Sequence, residues 1–205
     1  MAPTASPTVR FAPPVIGRAE IDEVVAALES GWLSTGPRVR QFETEFAAYT
    51  GAAHAVALNS CTAALHLALL AFEVGQGDEV VTTPLTFCAT ANVAIHVGAT
   101  PRFADIDPGT WNLSPAAAAA AVTSKTRAIV PVHFAGRPAD VAAFRAIADR
   151  HPLALIEDAA HAVEAVSAGR KIGATADATC FSFYATKNLT TGEGGMLTTD
   201  SQAVA

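Results

Sequence analysis

A single lysine stands where an apolar segment changes into a polar, glycine-rich one. In residues 181–195, FSFYATKNLTTGEGG, aromatic residues precede Lys187, and threonines, a glutamate and glycines follow it. A lysine taken out of water has a lowered pKa and becomes a nucleophile, as in enzymes that form Schiff bases. Most lysines are solvated surface residues, so Lys187 indicates chemistry only if the other groups of a site accompany it.

Two carboxylates close the apolar run LALI, and they are the second candidate. Glu157 and Asp158 follow the run, and His161 comes three residues after Asp158. Burying an unpaired carboxylate is costly, so acids at this position need partners. Two interpretations of Asp158 stay open, the N-cap of a helix and the charge partner of a ligand cation. His161 alone is more typical of a structural histidine.

Two more candidates follow strand-like runs. Ser60 is a good N-cap residue, which would leave the amides of Cys61 and Thr62 free at the first turn of a helix, where phosphate binds well. Phe87 follows the run DEVVTTP and could stack on a planar ligand. Taken singly, these are a helix cap and a core phenylalanine. Together with Lys187 and Asp158 they provide what pyridoxal phosphate (PLP) needs: a lysine, an acid for its ring nitrogen and an anion site.

The elements that must position these residues alternate along the chain. The helix-length segments are RAEIDEVVAALESG, RQFETEFAAYTG, CTAALHLALLAFEVG, FCATANVAIHVG, PAAAAAAVTS and ADVAAFRAIADRH. The strand-like runs are HAVALN, DEVVTTP, TPRFADI, RAIVPVHF, LALIED, ATCFSFY and GGMLTTD. This alternation predicts an α/β fold with a mainly parallel sheet, whose sites lie beyond the carboxyl ends of the strands. The segment after Ser60 is apolar nearly all round, which predicts a buried helix.

Composition excludes several classes of protein. The net charge of −6 over 205 residues, with no basic run, argues against nucleic-acid binding. Three widely spaced cysteines, Cys61, Cys88 and Cys180, predict reduced thiols in a cytoplasmic protein and no metal site. The first 17 residues lack the apolar segment of a secretory signal, and the alanine run is too short to span a membrane. Neither G-x-G-x-x-G nor a P-loop motif occurs, which argues against an unrelated nucleotide-binding protein.

Several motifs resemble the DegT/DnrJ/EryC1/StrS family of PLP-dependent aminotransferases. They are GWLSTGPRVRQFETEF, LNSCTAALHLALL, GDEVVTTPLTF, PVHFAGRPAD, IEDAAHA and FSFYATKNLTTGEGG. The resemblance runs from about residue 18 to residue 200. It implies the large domain of PLP-dependent transferase fold type I, built on a sheet of the seven-stranded type. We therefore expect an N-terminal arm in residues 1–17 and a PLP-binding large domain in residues 18–205.

The resemblance also implies a role for each candidate residue. Lys187 would bind the cofactor covalently and carry a proton between the substrate Cα and the cofactor C4′. Asp158 would keep the pyridine nitrogen protonated, His161 would lie near the phenolic oxygen, and Phe87 would stack on the ring.

Further roles follow for the phosphate and the substrate. The amides of Cys61 and Thr62, with the Ser182 hydroxyl, would hold the phosphate. Thr35 and Gly36, in the STGP motif, would lie near the substrate mouth.

The reaction that the resemblance implies is amino transfer to a nucleotide-diphospho keto sugar, with an amino donor such as glutamate, in a homodimer. Some relatives are dehydratases with histidine at the position of Lys187, so the lysine favours transamination. Relatives continue into a smaller C-terminal domain, whereas this sequence ends soon after GGMLTTD. The sequence therefore predicts a truncated large domain, for which a non-catalytic or regulatory PLP-binding remnant is the alternative.

Overall fold

The computed structural model describes residues 12–205, and its central feature is one mixed sheet. The strands are β1 (His54–Leu58), β2 (Glu79–Thr82), β3 (Thr100–Phe103), β4 (Thr126–Ile129), β5 (Ala154–Asp158), β6 (Val166–Ser167), β7 (Arg170–Lys171), β8 (Ala178–Ser182) and β9 (Gly195–Thr199). Seven of them form the main sheet, in the order β1-β9-β8-β5-β4-β2-β3. Each of the seven lies on one of the seven predicted runs. The short hairpin β6–β7 was not predicted.

Strand direction brings the functional segments to one edge of the sheet. The pairs β2–β3, β2–β4, β4–β5 and β5–β8 are parallel, whereas β9 is antiparallel to both of its neighbours, β1 and β8. Six strands therefore end at the same edge, and β9 begins there. This is the edge where ligands bind in open α/β sheets.

Six α-helices match the six predicted segments. They are α1 (Arg18–Glu29), α2 (Pro37–Thr50), α3 (Cys61–Ala71), α4 (Ala89–His96), α5 (Pro115–Ala121) and α6 (Val141–Arg150). Their ends follow local chemistry. Ser60, Ser114 and Asp140 accept N-cap hydrogen bonds at α3, α5 and α6, and Gly51 ends α2 in the left-handed region.

The core lies on both faces of the sheet because strand side chains alternate. Val81, Leu155 and Phe181 face the cluster that includes residues of α2, α5 and α6, whereas their neighbours in sequence face the cluster under α3 and α4. A sheet covered by helices on both faces explains why its strands read as continuous apolar runs.

Two helices differ from expectation. The helix α3, which is apolar nearly all round, was predicted to be buried, but Leu67 and Leu70 are nearly half exposed. The amphipathic α1 buries no side chain within the described residues, and its stripe Ile21, Val24, Val25 and Leu28 is open. Most of the predicted arm lies outside the described residues. Across residues 12–205 no helix is long and apolar enough to cross a membrane.

Candidate cofactor site

A cleft of about 590 Å³ opens at the carboxyl edge of the sheet. This volume is typical of sites for small ligands and cofactors. Its walls come from the segments that follow β1, β2, β4, β5 and β8 and from the turn before β9. All seven predicted cofactor residues line it: Cys61, Thr62, Phe87, Asp158, His161, Ser182 and Lys187.

One end of the cleft is the first turn of α3. The Ser60 hydroxyl accepts a hydrogen bond from the Ala63 amide at 3.1 Å, so the predicted N-cap is confirmed. Within the described residues, the amides of Cys61 and Thr62 donate to no acceptor. A Cβ at position 195 would lie 2.6 Å from the Cys61 nitrogen and 2.3 Å from the Ser60 carbonyl carbon. Gly195 therefore leaves this turn open.

Burial keeps the same turn free of negative charge. It raises the pKa of the Cys61 thiol well above its usual value, and the nearby Asp158 and Cys180 raise this pKa further. The thiol is therefore protonated at neutral pH. A neutral thiol beside two free amides suits an anion, since a thiolate there would repel it.

Ser182 reaches the cleft because it occupies the polar side of β8. Phe181 and Phe183 point the other way and pack against Phe46, with ring centroids 5.0 and 5.5 Å away. The Ser182 oxygen accepts a long hydrogen bond of 3.4 Å from the Tyr184 amide, and both residues line the cleft. The predicted alternation along this strand is confirmed.

Asp158 is buried at the end of β5 without a cationic partner among the described residues. Its Oδ2 accepts from the Thr90 hydroxyl at 2.7 Å, and its Oδ1 accepts from the Ala160 amide at 3.1 Å. No helix starts here, since residues 159–165 contain short turns and no helix, so the helix N-cap interpretation is wrong. A buried carboxylate with only neutral donors can accept a ligand cation.

Lys187 lies on a bend in the loop between β8 and β9. The side chain is half-buried and makes no salt bridge within the described chain, while its amide donates to the Tyr184 carbonyl at 2.9 Å. The loop turns back through Gly192 and Gly194, at φ 83° and 159°, as the glycines of TTGEGG predict. The Lys187 amine therefore has no hydrogen-bond or ion-pair partner among residues 12–205, and the residue lines the cleft.

His161 is exposed at the cleft, near the charges of Lys187 and Asp158. Burial lowers the pKa of His161, Lys187 lowers it further, and Asp158 opposes both effects. The imidazole is therefore neutral at neutral pH, and it can donate one hydrogen bond and accept another.

The exposure of Phe87 contradicts the interpretation of this residue as an ordinary core phenylalanine. Its side chain is 75% exposed, on the turn that precedes α4, and it lines the cleft. A phenylalanine so exposed at the mouth of a cleft has a face available for a planar ligand.

A buried pair that the sequence did not reveal lies under the cleft. Glu157 is fully buried and accepts from the hydroxyls of Thr175 and Thr179 at 2.9 and 2.7 Å. The His133 Nε2 lies 3.5 Å from Glu157 Oε1, and its Nδ1 accepts from the Ala139 amide at 3.0 Å. The imidazole proton is therefore on Nε2, directed at Glu157. His133 follows β4, so the rule that located the other residues could have found it.

Thr35 and Gly36 do not line this cleft. Thr35 faces a separate hollow with Val39, Asn59 and Leu67, and Gly36 is buried against the Trp32 indole. Their assignment to a substrate mouth remains a prediction. Among residues 12–205, no group of three or more His, Cys, Asp or Glu side chains could hold a metal ion.

Comparison with known proteins identifies the family. The sequence profile described as the DegT/DnrJ/EryC1/StrS aminotransferase family matches residues 14–205. The chain belongs to this family. It is 62% identical over 192 residues to the spore coat polysaccharide biosynthesis protein SpsC of Bacillus subtilis, covering 94% of this chain and 49% of SpsC.

Solved structures agree in fold. Spr1654 of Streptococcus pneumoniae, solved in a PLP-form, is 38% identical with a TM-score of 0.92, covering 96% of this chain and 54% of that one. DesI, solved in the presence of its TDP-sugar product, is 44% identical with a TM-score of 0.89, covering 97% and 51%. The predicted family and the large domain of fold type I are confirmed. The chain spans about half the length of these relatives.

Proposed function

We propose that this chain is the cofactor-binding half of a PLP-dependent aminotransferase of amino-sugar biosynthesis. It would transfer an amino group from an amino acid such as glutamate to a nucleotide-diphospho keto sugar. The observation that carries the proposal is the cleft, where the free amine of Lys187, the buried Asp158 and the open amides of α3 meet. SpsC and DesI support the sugar substrate, because their names refer to polysaccharide biosynthesis and to a TDP-sugar.

The residues fit the cofactor group by group. Asp158 has no cationic partner among residues 12–205, and a protonated pyridine nitrogen would supply one. The amides of Cys61 and Thr62 have no acceptors in the same part of the chain, and a phosphate would supply them beside the Ser182 hydroxyl. Gly195 keeps the space at the Cys61 amide that a Cβ would fill.

PLP, when bound, supplies a ring that accepts the electrons of a substrate carbanion. Asp158 would hold a proton on the ring nitrogen, which would make the ring a better acceptor. Lys187 would hold the cofactor through its amine and would serve as the group that moves a proton from or to the substrate carbon. The neutral His161 would donate a hydrogen bond to the ring oxygen, and Phe87 would lie against one ring face.

The partners follow from the same proposal. We infer a homodimer in the cytoplasm, with the rest of the site supplied by the second half of the polypeptide or by a second subunit. A non-catalytic PLP-binding remnant is the alternative. The presence of Lys187, where the related dehydratases carry histidine, favours amino transfer.

Visible spectroscopy with PLP tests the proposal. The purified chain is mixed with PLP, the covalent adduct is reduced with borohydride, and the labelled peptide is identified by mass spectrometry. The chain has only three lysines, Lys125, Lys171 and Lys187, so a label on Lys187 alone is expected. Lys187→Ala should abolish both the absorption band and the label, whereas Lys171→Ala should keep both.

Each component of the proposal can fail separately. If no absorption band forms with PLP, the assignment of the cofactor is wrong. If the band survives Lys187→Ala, the assignment of Lys187 as the residue that binds PLP is wrong. A band that glutamate does not bleach indicates the non-catalytic remnant, or a different amino donor.

A further inference from the structure

An aromatic pair flanks the cleft outside the set of cofactor residues. The rings of Trp111 and Phe134 lie with centroids 5.9 Å apart at an interplanar angle of 34°. Phe134 lines the cleft, whereas Trp111 extends outward from it and is 56% exposed. The pair therefore continues the cleft as an apolar surface open to solvent.

The backbone holds Trp111 in this position at a cost. Its φ of 65° lies in the left-handed region, which is unusual for a bulky residue. The carbonyl of Asp107 accepts from the Trp111 amide at 2.7 Å, and the Asp107 carboxylate accepts from the amides of Gly109 and Thr110. Such strain persists where the surroundings fix the conformation, and it is frequent at ligand-binding sites.

The buried Asn112 joins this loop to the loop after β4. Its Nδ2 donates to the carbonyls of Arg137 and Pro138, and its Oδ1 accepts from the Phe134 amide at 2.9 Å. One side chain thus fixes Trp111 and Phe134 relative to each other. The two rings form a rigid surface, which loses little conformational entropy when a ligand binds.

A cation stands in the same pair of loops. Arg137 is exposed, and its Nη1 donates to the Gly109 carbonyl at 2.9 Å. It forms no salt bridge with any described residue, although the chain carries a net charge of −6. Its other guanidinium N–H groups donate to no described residue, and guanidinium pairs well with phosphate.

We propose that Trp111, Phe134 and Arg137 form the subsite for the nucleoside diphosphate part of the substrate. The aromatic pair stacks on the base, and Arg137 binds the diphosphate. The identity of the ligand rests on the proposed function, since a nucleotide-linked sugar carries both groups. Because Phe134 belongs to the subsite and to the cleft, a ligand bound there extends its sugar toward Lys187.

Fluorescence and calorimetry with thymidine diphosphate and uridine diphosphate test the subsite. Trp32→Phe leaves Trp111 as the only tryptophan, and nucleoside diphosphate should quench its emission in a saturable way. By calorimetry, Trp111→Leu should weaken binding about tenfold. Trp111→Tyr should restore most of the affinity, because its ring also stacks. Arg137→Gln should weaken the binding of nucleoside diphosphate more than that of the uncharged nucleoside.

Three results would overturn the subsite: no binding of nucleoside diphosphate, equal affinity in Trp111→Leu and wild type, or inorganic pyrophosphate binding as tightly as nucleoside diphosphate. Trp111→Asn guards against misfolding, because asparagine tolerates the left-handed conformation. It should keep the wild-type melting temperature and lose affinity. All titrations omit PLP, so loss of the Lys187 adduct would refute the proposed function without changing these results.

Discussion

The cleft has a floor and a rim that differ in how far their residues are buried. The floor consists of Thr90, His133, Glu157, Asp158 and Gly195. The first four side chains are buried and each makes at least one hydrogen bond, and position 195 has no space for a Cβ. The rim consists of Phe87, Trp111 and Tyr184, which are 75%, 56% and 47% exposed. The floor residues are thus held in place by contacts within the chain, whereas the rim has surface that only a ligand or another polypeptide segment can cover. We expect substitutions in the floor to change stability and those in the rim to change binding.

The largest effect is expected for Glu157→Ala. It leaves the hydroxyls of Thr175 and Thr179 without an acceptor in a buried space and removes the carboxylate 3.5 Å from His133 Nε2, which has no other partner among the described residues. The free energy of unfolding should therefore fall by about 3 kcal/mol. The isosteric Glu157→Gln keeps one acceptor oxygen and should cost about 1 kcal/mol. Urea unfolding measures both. Equal losses in the two variants would mean that hydrogen bonding does not determine the stability of the floor.

Gly195→Ala should have the next largest effect. Its Cβ would lie less than 3 Å from the backbone of Ser60 and Cys61, so the backbone must move, at a cost of about 2 kcal/mol. The same shift should weaken the affinity for PLP. Gly75→Ala is the matched control, since its Cβ would meet only the Val97 carbonyl at 3.8 Å. If the control destabilises as much, steric contact with the α3 turn is not the cause.

Phe87→Ala tests the rim. Because the ring is mostly exposed, the free energy of unfolding should change by less than about 0.5 kcal/mol. Affinity for PLP should fall about three- to tenfold through the loss of stacking. Phe103→Ala removes another exposed ring, 55% exposed on β3 and outside the cleft, and should change neither quantity. If Phe87→Ala lowers the free energy of unfolding and leaves the affinity for PLP unchanged, Phe87 supports the fold and does not bind the ligand.

The smallest effect concerns pH. The pKa of His161 is lower in the folded state than its unfolded value of about 6.5. The unfolded chain therefore binds more protons as pH falls below about 6.5, so stability should decrease there and be unaffected by this group at higher pH. In His161→Gln, melting temperatures between pH 7 and pH 5.5 should fall less than in wild type. An unchanged slope would exclude His161 as the titrating group.

The same contrast explains what the sequence could predict. The end of an apolar run marks the carboxyl end of a parallel strand, and the carboxyl ends of parallel strands lie at the same edge of a sheet. Ser60, Asp158 and Lys187 each lie at or just after such an end, so the sequence alone could place them at one edge. The partners of these residues could not be predicted. Thr90 bonds Asp158 across 68 residues, and no local pattern predicts that pairing.

The rim was harder to predict for a related reason. Trp111 and Phe134 meet because Asn112 joins two loops, and such a contact leaves no periodic signal. The hairpin β6–β7 was missed because its strands have two residues each and its turn is Ala168–Gly169, without the Asn-Gly or Asp-Gly pair that favours such turns.

The position of β1 has a consequence for how the protein is made. Within the described residues β1 is an edge strand whose neighbour is β9, so His54 pairs with Thr199, which comes much later in the sequence. During synthesis β1 has no partner until residues 195–199 leave the ribosome, whereas β2–β5 can already pair among themselves. The α3 turn rests on Gly195 and so forms late. Asp158 and Lys187 are therefore synthesised before the turn of α3 that is proposed to bind phosphate can reach its final structure.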